Sequence, residues 1–392
     1  AYQYLLDWHR DWYVGDGPEK HASGRSPALY QAAGGDWRLT TAERKRILLN
    51  NIYGVDIDPQ AVEVTKLSLL LKVLEGENAQ SVATQLRLFQ ERALPDLAAN
   101  IKCGNSLIGP EFYSEGQLSL FDEEKRYRIN AFDWQAEFPE AMQAGGFDAV
   151  IGNPPYIRIQ TMKEWAPLEV EFYKRRYRAA SKGNYDIYVV FVEKGLSLLN
   201  GKGRLGFILP HKFFNAQYGE PLRGLIAKGR HLAEVVHFGD QQVFHGATTY
   251  TCLLFLDKAG SEQCHFVKVS DLGEWRSAGR AAEGAISATN VGSAEWNVAV
   301  GEGLALFQRL STMPVKLGDI GSIFVGLQTS ADTVFLFKDS QLSHGHLAVV
   351  HSKELNRAVQ LESALLKRVI RSGSIGRFWA EPTALVLFPY KC

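Results

Sequence analysis

Apolar positions in this chain fall into short runs of two kinds, separated by polar, glycine-rich stretches. Residues 1–14 read as a helix stopped by Gly15 and Gly17. The polar stretch that follows, up to about Trp37, reads as a surface loop. Thr40 or Thr41 then caps a second helix, with Arg44-Lys45-Arg46 on its outer side and Ile47-Leu48-Leu49 turned inward. Ile52 to Ile57 is a short apolar run closed by Asp56 and Asp58, the pattern of a strand feeding a helix. Asp58 caps that helix, Pro59 suits its first turn, and residues 60–74 give it a broad apolar face. A second strand end is predicted at Ile101 to Leu107, before an irregular polar excursion over 110–146. Phe147-Asp148-Ala149-Val150-Ile151-Gly152 is the next strand. A helical pattern over 185–199 follows, then a strand at 204–210, a helix at about 219–228, and strands at 232–238 and 250–256.

This alternation predicts an α/β protein with a doubly wound sheet and ligands at the carboxyl ends of its strands. The last two strands are joined by a short loop holding Phe244 and His245, which suits an antiparallel hairpin at a sheet edge. Residues 258–295 lose periodicity and fill with Gly, Ala, Ser and Glu. The expected organisation is therefore a first domain over 1–258, a linker or irregular connection over 259–299, and a second domain over 300–392.

With 392 residues, 46% of them hydrophobic, the chain is long enough to bury a large core. Lys and Arg total 43, as do Asp and Glu, so a nucleic-acid site has to come from a local patch. Cys103, Cys252, Cys264 and Cys392 lack zinc-type spacing, and their scatter fits a reducing cytoplasm. No apolar run is long enough for a membrane span. The chain opens inside a helical pattern without a cap and closes on a strand-like run at Leu385 to Tyr390, so both ends are expected to be cuts in a longer polypeptide.

The stretch with the clearest chemistry is Asn153-Pro154-Pro155-Tyr156, directly after the strand that ends in Gly152. Two prolines stiffen the backbone and remove two N–H donors. What remains is a set of acceptors beside a ring: the Asn153 amide oxygen, the backbone carbonyls and the Tyr156 face. That set suits an exocyclic amine on a flat heterocycle. The same tetrapeptide also serves as a plain turn after a strand. Asp56, at a strand end before a capped helix, is placed to accept hydrogen bonds from ribose hydroxyls, with Ile57 lying against an adenine. Asn105 has the donor and acceptor needed to read an adenine edge, or it simply closes a Gly-Asn-Ser turn. Lys174-Arg175-Arg176-Tyr177-Arg178 is either a phosphate contact or a solvated helix face.

Together, Ile47 through Pro59, Gly104-Asn105-Ser106-Leu107, Val150 through Tyr156, Tyr185-Asp186-Ile187-Tyr188 and Gly206-Phe207-Ile208-Leu209-Pro210 resemble the adenine-specific DNA methyltransferases of type II restriction–modification systems. The large bifunctional type IIG proteins are the nearest likeness, and it runs from residue 1 to about 256. Val325 to Ser330, Val334 to Phe337, Leu366 to Arg371 and Ile375 to Phe378 look like a TaqI-like specificity domain, which clamps DNA and reads its target. The resemblance implies a Rossmann-like methyltransferase sheet, S-adenosylmethionine as cofactor and double-stranded DNA with a flipped adenine as substrate. It implies that Asn153 and the Pro154 carbonyl accept from the adenine N6, that Pro155 stiffens the loop, and that Tyr156 and Phe244 stack on opposite faces of the base. Asp56, Ile57, Asn105 and Ser106 would hold the cofactor. A nuclease domain elsewhere in the parent polypeptide is compatible with the bifunctional relatives.

The family's Gly-rich cofactor loop and the strand before it belong just ahead of residue 1, and neither is in this sequence. The chain is therefore expected to bind cofactor weakly or not at all, and two strands are expected to lack a ladder partner. Two rival expectations follow. The tetrapeptide also serves enzymes that methylate a glutamine amide in proteins, although those lack a large C-terminal domain. The chain would otherwise be a DNA-recognition fragment without activity.

Overall fold

The structure is a computed structural model that describes residues 1–32, 34–76, 95–115, 123–244 and 250–296. Beyond these it describes 300, 306, 309–310, 312–315, 317–322, 329, 331–338, 346–370, 374–375 and 379–388. The chain divides into two compact units, Ala1–Gln308 and Arg309–Cys392.

The first unit opens with the helix Tyr2–Gly15 and a small antiparallel pair, β1 (Leu29–Gln31) and β2 (Trp37–Leu39). Thr40 caps the helix Thr41–Asn51 through the Glu43 amide at 3.2 Å. Asp58 caps the helix Pro59–Leu74 through the Gln60 amide at 2.8 Å. Both caps satisfy amides that a helix start leaves unpaired. Between these helices, β3 (Gly54–Asp56) pairs in parallel with β4 (Ile101–Cys103). These elements share a core of their own, centred on Leu6, Leu39, Ile47, Leu48, Val62, Val73 and Ile101.

The main sheet is separate and mixed. It holds β5 (Phe147–Gly152), β6 (Leu199–Pro210), β7 (Leu232–His237), β8 (Thr251–Asp257), β9 (Gln263–Lys268) and β10 (Ala282–Ser287). Its order is β10-β9-β7-β8-β6-β5. β5 and β6 are parallel, with Val150 opposite Leu205 and Gly152 opposite Phe207. β8 lies antiparallel between β6 and β7. The helix Tyr188–Leu198 buries Val189, Val190, Val192 and Leu196 in the core beside this sheet. Close packing is visible at Gly195, where a Cβ would come within 2.6 Å of Leu205 Cδ1. The two sheets meet through rings: Tyr53, just before β3, lies 5.7 Å from Phe147 on β5 and 5.3 Å from Phe138.

The α/β class and the antiparallel hairpin agree with the sequence reading, but two details differ. The hairpin β7–β8 is not at the edge, because β7 also pairs in parallel with β9. The segment 259–299, read from composition as a linker or irregular connection, instead holds β9 and β10 and extends the sheet by two strands. Cys264 and Phe266 point inward on β9 while Gln263 and His265 are exposed, a short alternation that its Gly- and Ala-rich surroundings mask. Arg223 then fastens residue 293 to the turn that follows β6. Only 3% exposed, it donates to the carbonyls of Phe213, Ala216 and Ser293 at 2.5, 2.9 and 2.9 Å.

The second unit is a small β structure. β11 (Leu336–Lys338) and β14 (Leu366–Val369) flank β15 (Ala384–Leu387), and β12 (Leu347–Ser352) pairs with β13 (Arg357–Glu362). Phe337, Ala348, Val350, Leu366 and Leu385 form its core. Of the segments tied to target recognition, residues 325–328, 330, 371 and 376–378 lie outside the described residues.

Candidate active site

β5 delivers Asn153 to its carboxyl end, as its hydrophobic pattern predicts. Pro154 is buried there, Asn153 and Pro155 are exposed, and Tyr156 is half-buried. The backbone beyond is clamped: Ile187 N–H donates to the Ile157 carbonyl and Ile159 N–H to the Tyr185 carbonyl, both at 2.9 Å. The Tyr156 hydroxyl donates to Asn153 Oδ1 at 2.8 Å and lies 3.2 Å from the Ile208 carbonyl on β6. Burial pushes that hydroxyl up to about 12, so it stays a donor at neutral pH. One edge of the tyrosine ring meets Tyr188 at 6.4 Å. Tyr188 in turn shares a 2.9 Å hydrogen bond with the Tyr218 hydroxyl, which donates to Asp186 at 3.3 Å. The loop is thus braced from the Tyr185–Tyr188 segment that the sequence singled out.

Phe244 lies half-buried in a bend between β7 and β8. Among the described residues no ring contact joins it to Tyr156. His245 lies outside the described residues.

The four residues tied to the cofactor cluster at the ends of β3 and β4. Gly104 N–H donates to the Asp56 carbonyl at 2.8 Å and holds the two strand ends together. Gly104 has to be glycine, because a Cβ would stand 2.5 Å from Phe132 Cδ2. Asp56 is exposed, and one carboxylate oxygen accepts the Asp58 amide at 2.8 Å. Ile57 presents an exposed side chain. Asn105 Oδ1 accepts from the Leu107 amide at 3.1 Å, so part of its capacity closes its own turn. The Ser106 carbonyl accepts from Trp134 Nε1 at 3.1 Å. A cavity of about 450 Å³ opens nearby, lined by Pro59, Val62, Lys66, Cys103, Phe132 and Asp133, but none of the four borders it.

Residues 174–176 end the helix Pro167–Arg176 on its exposed side. Lys174 pairs with Glu171 at 2.6 Å, and Arg176 reaches Glu111 at 3.8 Å. Lys174 and Arg176 on this solvated face thus have charge partners of their own.

One feature at this end of the sheet has no local sequence signal. His211 follows β6 and His237 ends β7, 26 residues later, yet their rings lie 4.2 Å apart. The register makes the pair, by setting Pro210 opposite Thr251 and His237 opposite Cys252 on β8. Burial lowers both imidazoles. His237 falls to about 4, helped by the neighbouring His211 and Lys268. Its Nδ1 accepts the Gly239 amide at 2.9 Å.

A braced Asn-Pro-Pro-Tyr turn thus stands at the carboxyl end of a parallel strand in a mixed α/β sheet. Residues 50–244 match the family of the Eco57I restriction-modification methylase, and over that span the chain is a methylase domain of the Eco57I type. The chain is 29% identical to the type II restriction enzyme and methyltransferase RM.Eco57I of Escherichia coli, over 100% of this chain and 37% of that protein. It is 29% identical to the type II methyltransferase M.PaeR7I of Pseudomonas aeruginosa, over 52% of this chain and 37% of that one. The chain thus spans little more than a third of either relative. A solved structure of the type IIL restriction-modification enzyme MmeI in complex with DNA matches 88% of this chain and 41% of its own. That match has 13% identity and a TM-score of 0.45, a level that leaves the fold to rest on the strands described above.

Proposed function

We propose that this chain is the methyltransferase part of a restriction–modification protein, and that it transfers a methyl group from S-adenosylmethionine to N6 of an adenine in a specific DNA sequence. The observation that carries the reading is the tetrapeptide's geometry, with an exposed Asn153 beside a buried Pro154 and a braced Tyr156. An adenine amine is a poor nucleophile because its lone pair is delocalised into the ring. Asn153 Oδ1 and the Pro154 carbonyl would accept its two hydrogens and favour a pyramidal nitrogen with its lone pair exposed. This is positioning and preorganised electrostatics, and it needs no strongly basic side chain. The amine is inaccessible in a duplex, so the base is flipped out at a cost of a few kcal/mol. Stacking on Tyr156 and Phe244, at about 1–3 kcal/mol per base, offsets that cost.

S-adenosylmethionine, when bound, supplies the electrophilic methyl group. Asp56 fits the ribose, because its second carboxylate oxygen has no partner among the described residues, and the exposed Ile57 fits an adenine face. Asn105 and Ser106 would take the adenine edge. Calorimetric titration with S-adenosylmethionine tests this placement, and an affinity unchanged by Asp56→Asn refutes it. The second unit is proposed to read the DNA target, in a cytoplasmic protein with or without a nuclease domain.

A labelled-methyl assay with an Asn153→Ala control tests the whole reading. Transfer to DNA that the substitution removes supports it. Transfer to protein alone would make the substrate a glutamine amide, and DNA binding without transfer would make the chain a recognition fragment.

A further inference from the structure

We propose that the Tyr156 hydroxyl is a positioning group: it holds the Asn153 amide so that the side-chain oxygen is available to the target amine, a task distinct from stacking by the ring. This rests on the methyl-transfer reading above. Asn153 is exposed, and the tyrosine hydroxyl is its side chain's one hydrogen-bond partner among the described residues. An exposed asparagine turns freely about its last torsion, which is broad and roughly two-fold. In one orientation it offers an acceptor and in the other an N–H₂ donor, which would repel an amine that must donate. The hydroxyl favours the acceptor orientation: it donates its one proton to Oδ1 at 2.8 Å and shares it with the Ile208 carbonyl, the longer contact at 3.2 Å. An amide oxygen has two acceptor sites, so one remains for the amine.

The hydroxyl is itself fixed from outside the loop. It lies 3.2 Å from the Ile208 carbonyl, and Ile208 stands opposite Leu253 in the middle of the main sheet. The orientation of Asn153 is thus referred to β6, a central strand, and not to the loop that carries it. Two functions meet in one residue and are separable: removing the hydroxyl leaves the ring.

The test compares the full chain with Tyr156→Phe and Tyr156→Ala. Three quantities are measured: kcat and KM for DNA by labelled-methyl transfer, and the fluorescence of 2-aminopurine at the target position, which reports stacking of the flipped base. Tyr156→Phe is expected to lower kcat about 10-fold, the worth of one lost hydrogen bond, with KM changed less than about twofold and the fluorescence unaltered. Tyr156→Ala is expected to change all three. An unchanged or higher kcat in Tyr156→Phe overturns the proposal. So does a fall in kcat accompanied by loss of the fluorescence signal, which would assign the effect to the ring. A second readout needs no turnover. With asparagine selectively labelled with ¹⁵N, the Asn153 side-chain resonance should shift in Tyr156→Phe, and an unmoved resonance denies the hydrogen bond. If the parent chain transfers no methyl group, the methyl-transfer reading of this chain fails by itself, while the resonance still decides whether Tyr156 holds Asn153.

Discussion

The end of β5 and the paired ends of β3 and β4 carry the two sets of candidate residues, and they are held in place differently. At β5 the backbone is stiffened by Pro154 and Pro155, and the tyrosine that follows is tied to β6 by the Ile208 carbonyl. Its support comes from the large core beneath the six-stranded sheet. At β3 and β4, Asp56 and Asn105 accept hydrogen bonds from amides two residues further along the same loops. Asp56 and Asn105 thus help to close their own turns, although the Asn105 loop also reaches the large core through Leu107, whose carbonyl accepts from the Tyr177 hydroxyl at 2.5 Å. Val64, Leu67 and Leu71 on the helix Pro59–Leu74 are exposed. The acceptor loop is therefore ready in the free chain, whereas the cofactor side still has apolar surface and strand edges to cover. On the proposed reading, such a site would recognise the amine by rigidity and the cofactor by completion.

The largest expected effect is at β5. Asn153→Ala should lower methyl transfer about 10²–10³-fold, as losing one preorganised polar group does. Thermal unfolding should move by less than about 0.5 kcal/mol, because the side chain is exposed. A loss of folding instead of turnover would erase the distinction between the two ends. Next comes Gly104→Ala, which should cost about 2–3 kcal/mol in urea unfolding as its methyl group meets Phe132. Gly201→Ala, where nothing lies within 4 Å, is the neutral control.

Third, His237 on β7 makes the main sheet pH-sensitive. Its pKa falls from 6.5 to about 4 on folding, chiefly through burial. Between those values the unfolded chain binds a proton that the folded chain refuses, so stability is lost as pH drops from 6.5 towards 4. A pKa fall of that size corresponds to about 3 kcal/mol, which solvent around the half-buried ring cuts to about 2 kcal/mol by urea titration, and His237→Gln should flatten the profile. Smallest of all, Asp56→Asn should shift stability by less than about 0.5 kcal/mol, since an amide oxygen still accepts from Asp58. Calorimetry should show S-adenosylmethionine binding weakened. A stability loss above 1 kcal/mol would mean that Asp56 serves the fold and not a ligand.

Much of this was legible in the chain because the signals were local. β7 and β8 are each marked by their own apolar run, and the caps at Thr40 and Asp58 and the strand before Asn153 each announce themselves within a dozen residues. β9 and β10 did not, because β10 is an edge strand whose Ala282, Glu283, Ala285 and Ser287 face solvent and carry no apolar run. The first unit runs to Gln308, a little past the 300 at which the second domain was expected to begin, and takes in the stretch 259–299 that was expected to connect the two. His211 with His237, and Arg223 with Ser293, are partners that only the sheet register and the return of the chain bring together. The tetrapeptide stands at the strand end where the apolar pattern placed it, but its hydroxyl tether to Ile208 spans 52 residues and has no sequence pattern.

The outer side of β5 bears on how the protein behaves in a tube. Among the described residues that strand has a neighbour on one side only, and Ile151 on it is 62% exposed. A bare row of amides and carbonyls beside a greasy side chain is a template for any extended peptide, including another copy of the same molecule. Concentrated stocks should therefore thicken into strand-paired assemblies. A short β-forming peptide added in excess should keep them clear by occupying that row first.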